Sequence, residues 1–476
     1  MAADPPPSPC ELLLENSEAI SVSSEQITMV CARERFVFPT RCSSDRIVSI
    51  QTMGCASSIP KTLPSGGRKK RKNRSSVDEV VVFVPMLQVP MPVDFLHPLR
   101  GLLSRELIDK LSSLRYRIVS LSEENDLADV NDVAALQQAL EEYLPILLGL
   151  TVKEHNLESL VEFKWRVLCE DEEETCIDSA WYEVLSVVHL MATLSMLQAN
   201  LMLLPNKSSD ECERVVSEDS KKFAVDLLLK ASGCLDYCLR GVMVNLPLHL
   251  RKNLPHGMQE GMLEAMSTQA LAQGVEMQLG LALECEKATL SVKRRLACEA
   301  VSYFAQAHSC LTGCYTNDGY GKKLLLFIQW KYLEAKAAAY YYHGLVLDKG
   351  SAPSDHVSAV CCLFAAEELL RDGKKACLSF CLAAPVTRVP PAWGVMKHVN
   401  KKIPETASKK AQIYGYLFEQ DKGCQSLPDL PEFQLSLKPD DYNVPDIDAS
   451  WDNEKFEPQI QSLKEHLKDE DEIVET

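Results

Sequence analysis

Gly54 and Cys55 are residues whose type and spacing allow covalent chemistry. They lie in Met53-Gly54-Cys55-Ala56-Ser57-Ser58, which fits the myristoylation pattern M-G-x-x-x-[ST], with a cysteine beside the glycine for a palmitoyl thioester. Myristate needs a free glycine amine. Gly54 has one only if translation starts at Met53; with a start at Met1 it is an ordinary peptide unit and the anchor is lost. One myristoyl chain binds a bilayer with an association constant on the order of 10⁴ per molar, so stable anchoring takes a second signal. Cys55 supplies one. The basic run Lys61, Arg68, Lys69, Lys70, Arg71, Lys72 and Arg74 supplies another, with no acidic residue between Gly54 and Ser76. Each such side chain adds about 1 kcal/mol at an anionic leaflet. Taken alone, "GGRKKRKNR" also reads as a nuclear import signal. Beside M-G-C-A-S-S it reads as a membrane-contacting run.

The usual catalytic patterns are missing from the rest of the chain. There is no H-E-x-x-H, no G-x-S-x-G and no G-x-x-x-x-G-K-[ST]. "SGGRKKRK" has no strand before it and no helix after it to orient a phosphate. His189 and His343 fall in apolar helical segments and read as satisfied core or groove histidines. The acids from Glu170 to Glu174 read as a solvated loop. Cys234 and Cys238, Cys310 and Cys314, and Cys377 and Cys381 are each four apart in helix-like segments, without C-x-x-C or a following histidine pair. They read as buried thiols in a reducing compartment. The residues therefore imply no catalytic site, no metal, no cofactor and no small-molecule substrate. The net charge of −17 and pI near 5.2 argue against a nucleic-acid partner.

The elements that would carry these groups are nearly all helical. Residues 1–52 show no sustained periodicity and read as a disordered extension. Residues 53–78 form the lipid-anchor and basic linker. "VVVFVPMLQVPMPVDF" is β-branched but broken by Pro85, Pro90 and Pro92, which predicts a short strand or extended arm. From Pro98 onward apolar residues recur at three- and four-residue steps, as in Leu103, Leu107, Leu111 and Leu114. Pro145 marks a kink or boundary. "SAWYEVLSVVHLMATLSMLQANLMLL" is apolar enough to be a central buried helix. Ser217 is placed to cap the next one, in which Phe223, Leu227, Ala231, Cys234 and Cys238 share a face. A break near 288–291 divides the long helical stretch that follows. After a last helix through about Ala411 the chain becomes Pro-rich and extended, and residues 451–476 form an acidic tail. No regular repeat is present, so the residues predict an all-α, irregular solenoid or elongated bundle.

One segment reads as a surface for a partner. Met258, Met262, Met266 and Ala270 recur every four residues beside Leu263 and Leu271, and Gly261, Gly274 and Gly280 permit close backbone approach. Either this is ordinary core packing, or it is a Met-lined groove for an amphipathic helix.

The order of several stretches resembles the BRO1-like domain family. "LAQGVE" at Leu271–Glu276 is followed by "EKATLSVKRRLACEAVSYFAQA"; "VVVFVPMLQVPMPVDFLHPLRGLL" and "LPDLPEF" fit the two ends, with "VEFKWR" and "AKAAAYYYHG" between. The likeness spans about 79–450. It is greatest to the plant group of single-domain, Brox-like members that begin M-G-C with a basic run. The family's L-A-Q-A-Q-E is L-A-Q-G-V-E here, and the chain ends "EIVET" without a prenylation cysteine. The resemblance implies a boomerang-shaped helical domain with tetratricopeptide-like antiparallel packing. It implies a non-catalytic endosomal adaptor whose groove takes the C-terminal amphipathic helix of an ESCRT-III filament subunit at an anionic membrane. Met262, Leu263, Met266 and Leu271 are the groove residues carried over, so that Met266→Asp abolishes binding without unfolding. The alternative is a generic helical peptide-binding scaffold with a nuclear or cytosolic partner.

Overall fold

An extended arm opens the described chain. The computed structural model describes residues 79–84, 87–124, 127, 129–167, 174–204, 216–389, 394–420 and 427–454. Residues Val80–Phe83 are buried and, beyond a single bridge at Glu79 and Arg388, have no strand partner among the described residues. Side chains replace the missing strand. The Val81 and Val82 N–H groups donate to Asn200 Oδ1 at 2.7 and 2.9 Å. Gln273 and Gln269 donate to the carbonyls of Val81 and Phe83 at 3.0 and 2.8 Å. The β-branched run is thus the arm, and the strand comes after it.

That strand, β1 (Gln88–Pro90), pairs antiparallel with β2 (Phe163–Val167), which pairs antiparallel with β3 (Glu174–Ile177); Val89 faces Arg166 and Trp165 faces Thr175. β2 alternates buried and half-buried positions, with Phe163 and Trp165 inward. β1 is the short strand expected at this edge; its pairing with β2 and β3 into a sheet goes beyond that expectation. Four or five residues with one buried face leave too short an alternation to stand out beside long helices.

Among the described residues there are eleven α-helices, and the fold is mostly helical. They are α1 (Leu96–Leu99), α2 (Arg105–Glu124), α3 (Val130–Leu148), α4 (Ala180–Leu203), α5 (Glu218–Tyr237), α6 (Leu248–Lys252), α7 (Glu260–Glu284), α8 (Leu290–Cys310), α9 (Gly319–Leu347), α10 (Pro353–Leu382) and α11 (Gly394–Gln420). Their ends follow local chemistry. Asp129, Ser217 and Thr289 each accept from a backbone N–H in the first turn of α3, α5 and α8. Pro145 sits in the last turn of α3, which ends three residues later. The long helical stretch breaks at 285–289, just before the expected point.

Consecutive long helices pack against one another through the array. α5 and α7 run antiparallel: Lys221 at the start of α5 bonds Glu284 at the end of α7, and the Ser232 and Ser267 hydroxyls meet at 2.8 Å further along. Two apolar cores result. One is built from the arm, the sheet, α1–α7 and parts of α8–α10, the other from α7–α11, so α7 contributes to both along its length. α7 is accordingly buried on almost every side, exposing fully only Glu260, Glu264 and Glu284.

After α11 the chain returns as an extended strap over residues 427–448. Its route is set by side chains and glycines. Tyr303 donates to the Leu437 carbonyl, and Glu299 accepts the Ser436 N–H. The Asp440 N–H donates to the Leu229 carbonyl at 3.3 Å, and Tyr442 packs on Tyr237 with ring centroids 5.1 Å apart. At Gly233 an added Cβ would strike the Asp440 carbonyl, so only glycine leaves room for the strap. The strap ends in a plug. Trp451 is buried over Gly149, where any Cβ would enter its ring, and donates to the Ile146 carbonyl at 3.0 Å. Lys110 holds Asp448 at 3.0 Å and Glu454 accepts from Ser104. The packed chain therefore runs through Glu454, beyond the expected boundary at 450.

Candidate functional site

Met262, Leu263, Met266 and Leu271 do not line an open groove. They are buried in the two cores, with Met266 at 0% exposure. The reason is the position of α7 between both cores: its methionines pack inward on α5 and its neighbours. For these four residues the ordinary-packing alternative is what the structure shows.

Apolar side chains that are not fully buried occur instead at the end of α4 and the start of α5. α4 is buried over most of its length, but near its C-terminal end Leu197, Gln198, Leu201 and Met202 are half-buried. Asn200, between them, points its amide to the arm, so Leu201 and Met202 lie to either side of the direction away from it. On α5, Phe223 is 46% exposed, beside half-buried Lys222 and exposed Asp226. Lys222, Asp226, Leu229 and Gly233 share a helix face at i, i+4, i+7 and i+11. The strap seats on the last two. Phe223 opens the face that continues through Leu227, Ala231, Cys234 and Cys238, all buried. It marks where that face leaves the core. No spacing rule separates Phe223 from its buried companions. The only sequence signal is its place in the first turns, after Lys221-Lys222.

The other candidate groups have structural roles. Lys331 lies between Glu276 at 2.8 Å and Glu334 at 3.3 Å. Burial pulls its pKa down, but the two carboxylates outweigh burial and hold it above the ordinary range. A lysine kept charged is the opposite of an amine nucleophile. Burial lowers Lys323 to about 8, yet its ammonium donates to three carbonyls, of Phe380, Ala383 and Pro385, at 2.8, 2.8 and 2.6 Å. It caps the end of α10. Burial pushes the thiols of Cys234 and Cys238 up, the former to about 12, which suits inert core residues. Among the described residues no cluster of three or more His, Cys, Asp or Glu could hold a metal. Gly54, Cys55, the basic run from Lys61 to Arg74 and Glu170 lie outside the described residues, while Glu174 opens β3.

His189 differs from the expected satisfied histidine. It is fully buried in α4, and neither ring nitrogen has a hydrogen-bond partner. His343 is also buried, with Nδ1 unpaired. Burial lowers His189 from 6.5 to about 4. Above pH 6.5 the ring is neutral in both folded and unfolded chains. Between 6.5 and 4 the unfolded chain binds the extra proton, so stability falls as pH falls, by about 3 kcal/mol over that window. His189→Leu removes two unpaired nitrogens and this proton. It is expected to gain about 1 kcal/mol or more at pH 7, with a larger margin over the wild type at pH 5. Urea titrations at the two pH values measure both.

Residues 84–413 match the family profile of the BRO1-like domain. The chain belongs to the BRO1-like domain family. Two solved structures have the same fold. A crystal structure of ALIX in complex with the SIVmac239 PYKEVTEDL late domain superposes with a TM-score of 0.53 at 16% identity, covering 76% of this chain and 49% of that one. The ALIX BRO1 domain in complex with CHMP4C superposes with a TM-score of 0.53 at 17% identity, covering 76% and 98%. This BRO1-like chain thus spans about half the length of the longer ALIX chain and nearly all of the isolated domain. No curated protein matches it.

Proposed function

We propose that this BRO1-like chain is a non-catalytic adaptor that binds the C-terminal amphipathic helix of an ESCRT-III filament subunit and holds it at an endosomal membrane. The observation that carries the reading is an exposed aromatic, Phe223, in the first turns of α5, together with the half-buried apolar side chains Leu201 and Met202 near the end of α4. An amphipathic helix buries one stripe of apolar side chains in such a surface. Support comes from the ALIX BRO1 domain, whose fold is shared and which was solved with CHMP4C. The test is titration of a labelled ESCRT-III C-terminal helix into the chain and its Phe223→Asp variant. Undiminished binding by a folded variant would sink this assignment.

The membrane half of the proposal rests on Gly54 and Cys55, with Lys61, Arg68, Lys69, Lys70, Arg71, Lys72 and Arg74 as the electrostatic second signal. It places the chain on the cytosolic face of the endosome. Mass spectrometry of the native N-terminal peptide decides it. A myristoylated peptide starting at Gly54 is expected. Peptides covering 1–52 without a Gly54-initiated form would remove the anchor.

A further inference from the structure

α10 presents an unusual outward face at its C-terminal end. Arg371, Lys374, Lys375, Leu378 and Leu382 fall at i, i+3, i+4, i+7 and i+11, which places them on one side of the helix. All five are exposed, Leu378 at 60% and Leu382 at 67%. Val386, just past the helix, is 59% exposed. Cations thus occupy one end of the face and apolar tips the other. Asp372 pairs with Lys375 at 2.8 Å, but both are solvent-facing and the pair is weak.

This end is held rigidly. The buried Lys323 ammonium ties the carbonyls of Phe380, Ala383 and Pro385, fixing the turn that presents Leu382 and Val386. The same turn receives the arm: Arg388 pairs with Glu79 at 2.7 Å, and the Val80 N–H donates to the Arg388 carbonyl at 3.0 Å. The described chain therefore begins, at Glu79, beside Arg388, two residues from Val386.

We infer that the Leu378–Leu382–Val386 end of α10 is a second membrane contact, made with an anionic bilayer. Leucine tips enter the headgroup boundary while Arg371 and Lys374 keep their heads at the phosphates, with their stems along apolar surface. Charge selects the occupant: Arg371, Lys374, Lys375 and Arg388 outnumber Glu368, Asp372 and Glu79 on this face in a chain of net charge −17. The inference deepens the membrane reading above and does not depend on acylation.

The test uses the full chain made without lipid, in a host lacking the myristoyl transferase. It is sedimented with vesicles of phosphatidylcholine alone or mixed with phosphatidylserine. Binding to the mixed vesicles is expected. L378D/L382D should lower the apparent partition coefficient about tenfold or more, with melting temperature and helix-peptide affinity unchanged. L378M/L382M should retain it, and R371E/K374E should weaken it and flatten its salt dependence. Unchanged partition of L378D/L382D would overturn the inference. So would a wild-type dimer that this variant converts to a monomer, which would assign the face to a second copy of the chain. The two membrane readings fail separately. Absence of myristate at Gly54 with leucine-dependent vesicle binding removes the anchor alone; myristate with leucine-independent binding removes this face alone.

Discussion

Arg115→Met is expected to destabilise the domain by about 3–5 kcal/mol, because it strands a buried carboxylate. Arg115 and Glu183 are both buried and form a direct ion pair. The guanidinium also donates to the Met91 carbonyl at 3.2 Å and the Lys164 carbonyl at 3.0 Å, and stacks over Trp165 at 4.9 Å. Glu183 accepts from Trp165 Nε1 at 2.6 Å and Tyr143 Oη at 3.2 Å. One group thus joins α2, α3, α4 and the small sheet. Burial pushes the Glu183 carboxyl up, with Arg115 and the Trp165 and Tyr143 hydrogen bonds opposing. Without Arg115 only burial and two neutral donors remain, and the pKa rises further. A carboxyl whose folded pKa exceeds its unfolded value binds more protons when folded, so stability is lost as pH rises. The deficit of Arg115→Met should therefore be largest at pH 7 and shrink toward pH 5. Adding Glu183→Leu should restore much of the loss, since replacing both partners removes the stranded charge. Lysine should not substitute, because one ammonium cannot reproduce the planar fork that reaches Glu183 and both carbonyls. Urea denaturation of the four proteins at pH 7 and 5.5 checks this. A loss under about 1 kcal/mol in Arg115→Met would show that the pair does not hold the sheet.

The long helices were legible because their apolar spacing repeats over many turns and serine, aspartate and threonine mark their starts. What escaped reading has physical causes. Arg115 falls between Leu111, Leu114 and Ile118 on the apolar side of α2, where a single charge looks like an edge residue. Its partners lie 24 to 68 residues away, beyond any local pattern. α7 is Met-, Leu-, Ala- and Gly-rich on all sides, so periodicity could not say which face meets solvent. The two-core position answers that, and only the tertiary structure shows it. "LAQGVE" was recognised as a resemblance, and its chemistry is visible only in three dimensions. Gln273 holds the arm, Gly274 lets Leu437 of the strap approach, and Glu276 pairs with Lys331. Trp451 was placed in a polar tail because the residues around it are acidic, yet Gly149, some three hundred positions earlier, makes room for its ring.

Phe223→Asp and Met266→Asp should fail in opposite ways, which separates a binding surface from a core. Phe223 is nearly half exposed, and aspartate there meets water. Folding stability should change by less than about 0.5 kcal/mol, as at other surface positions. A buried aromatic anchor at an interface is typically worth about 2 kcal/mol or more, so affinity for the ESCRT-III helix should fall roughly thirtyfold or further. Met202→Asp, half-buried on α4, should weaken binding in the same direction at a modest cost in stability. Met266 is closed off among the residues of the arm-side core. Aspartate there has no partner and must either protonate or open the core, at a cost of about 4 kcal/mol or more. The expected pair of results is a folded Phe223→Asp that no longer binds, and a Met266→Asp that loses binding only with its cooperative melt. Fluorescence titration and thermal denaturation on the same samples distinguish the two. A well-folded Met266→Asp with lost binding would mean that α7 uncovers its methionines to the partner, and would move the site from the α4–α5 face into the helix between the two cores.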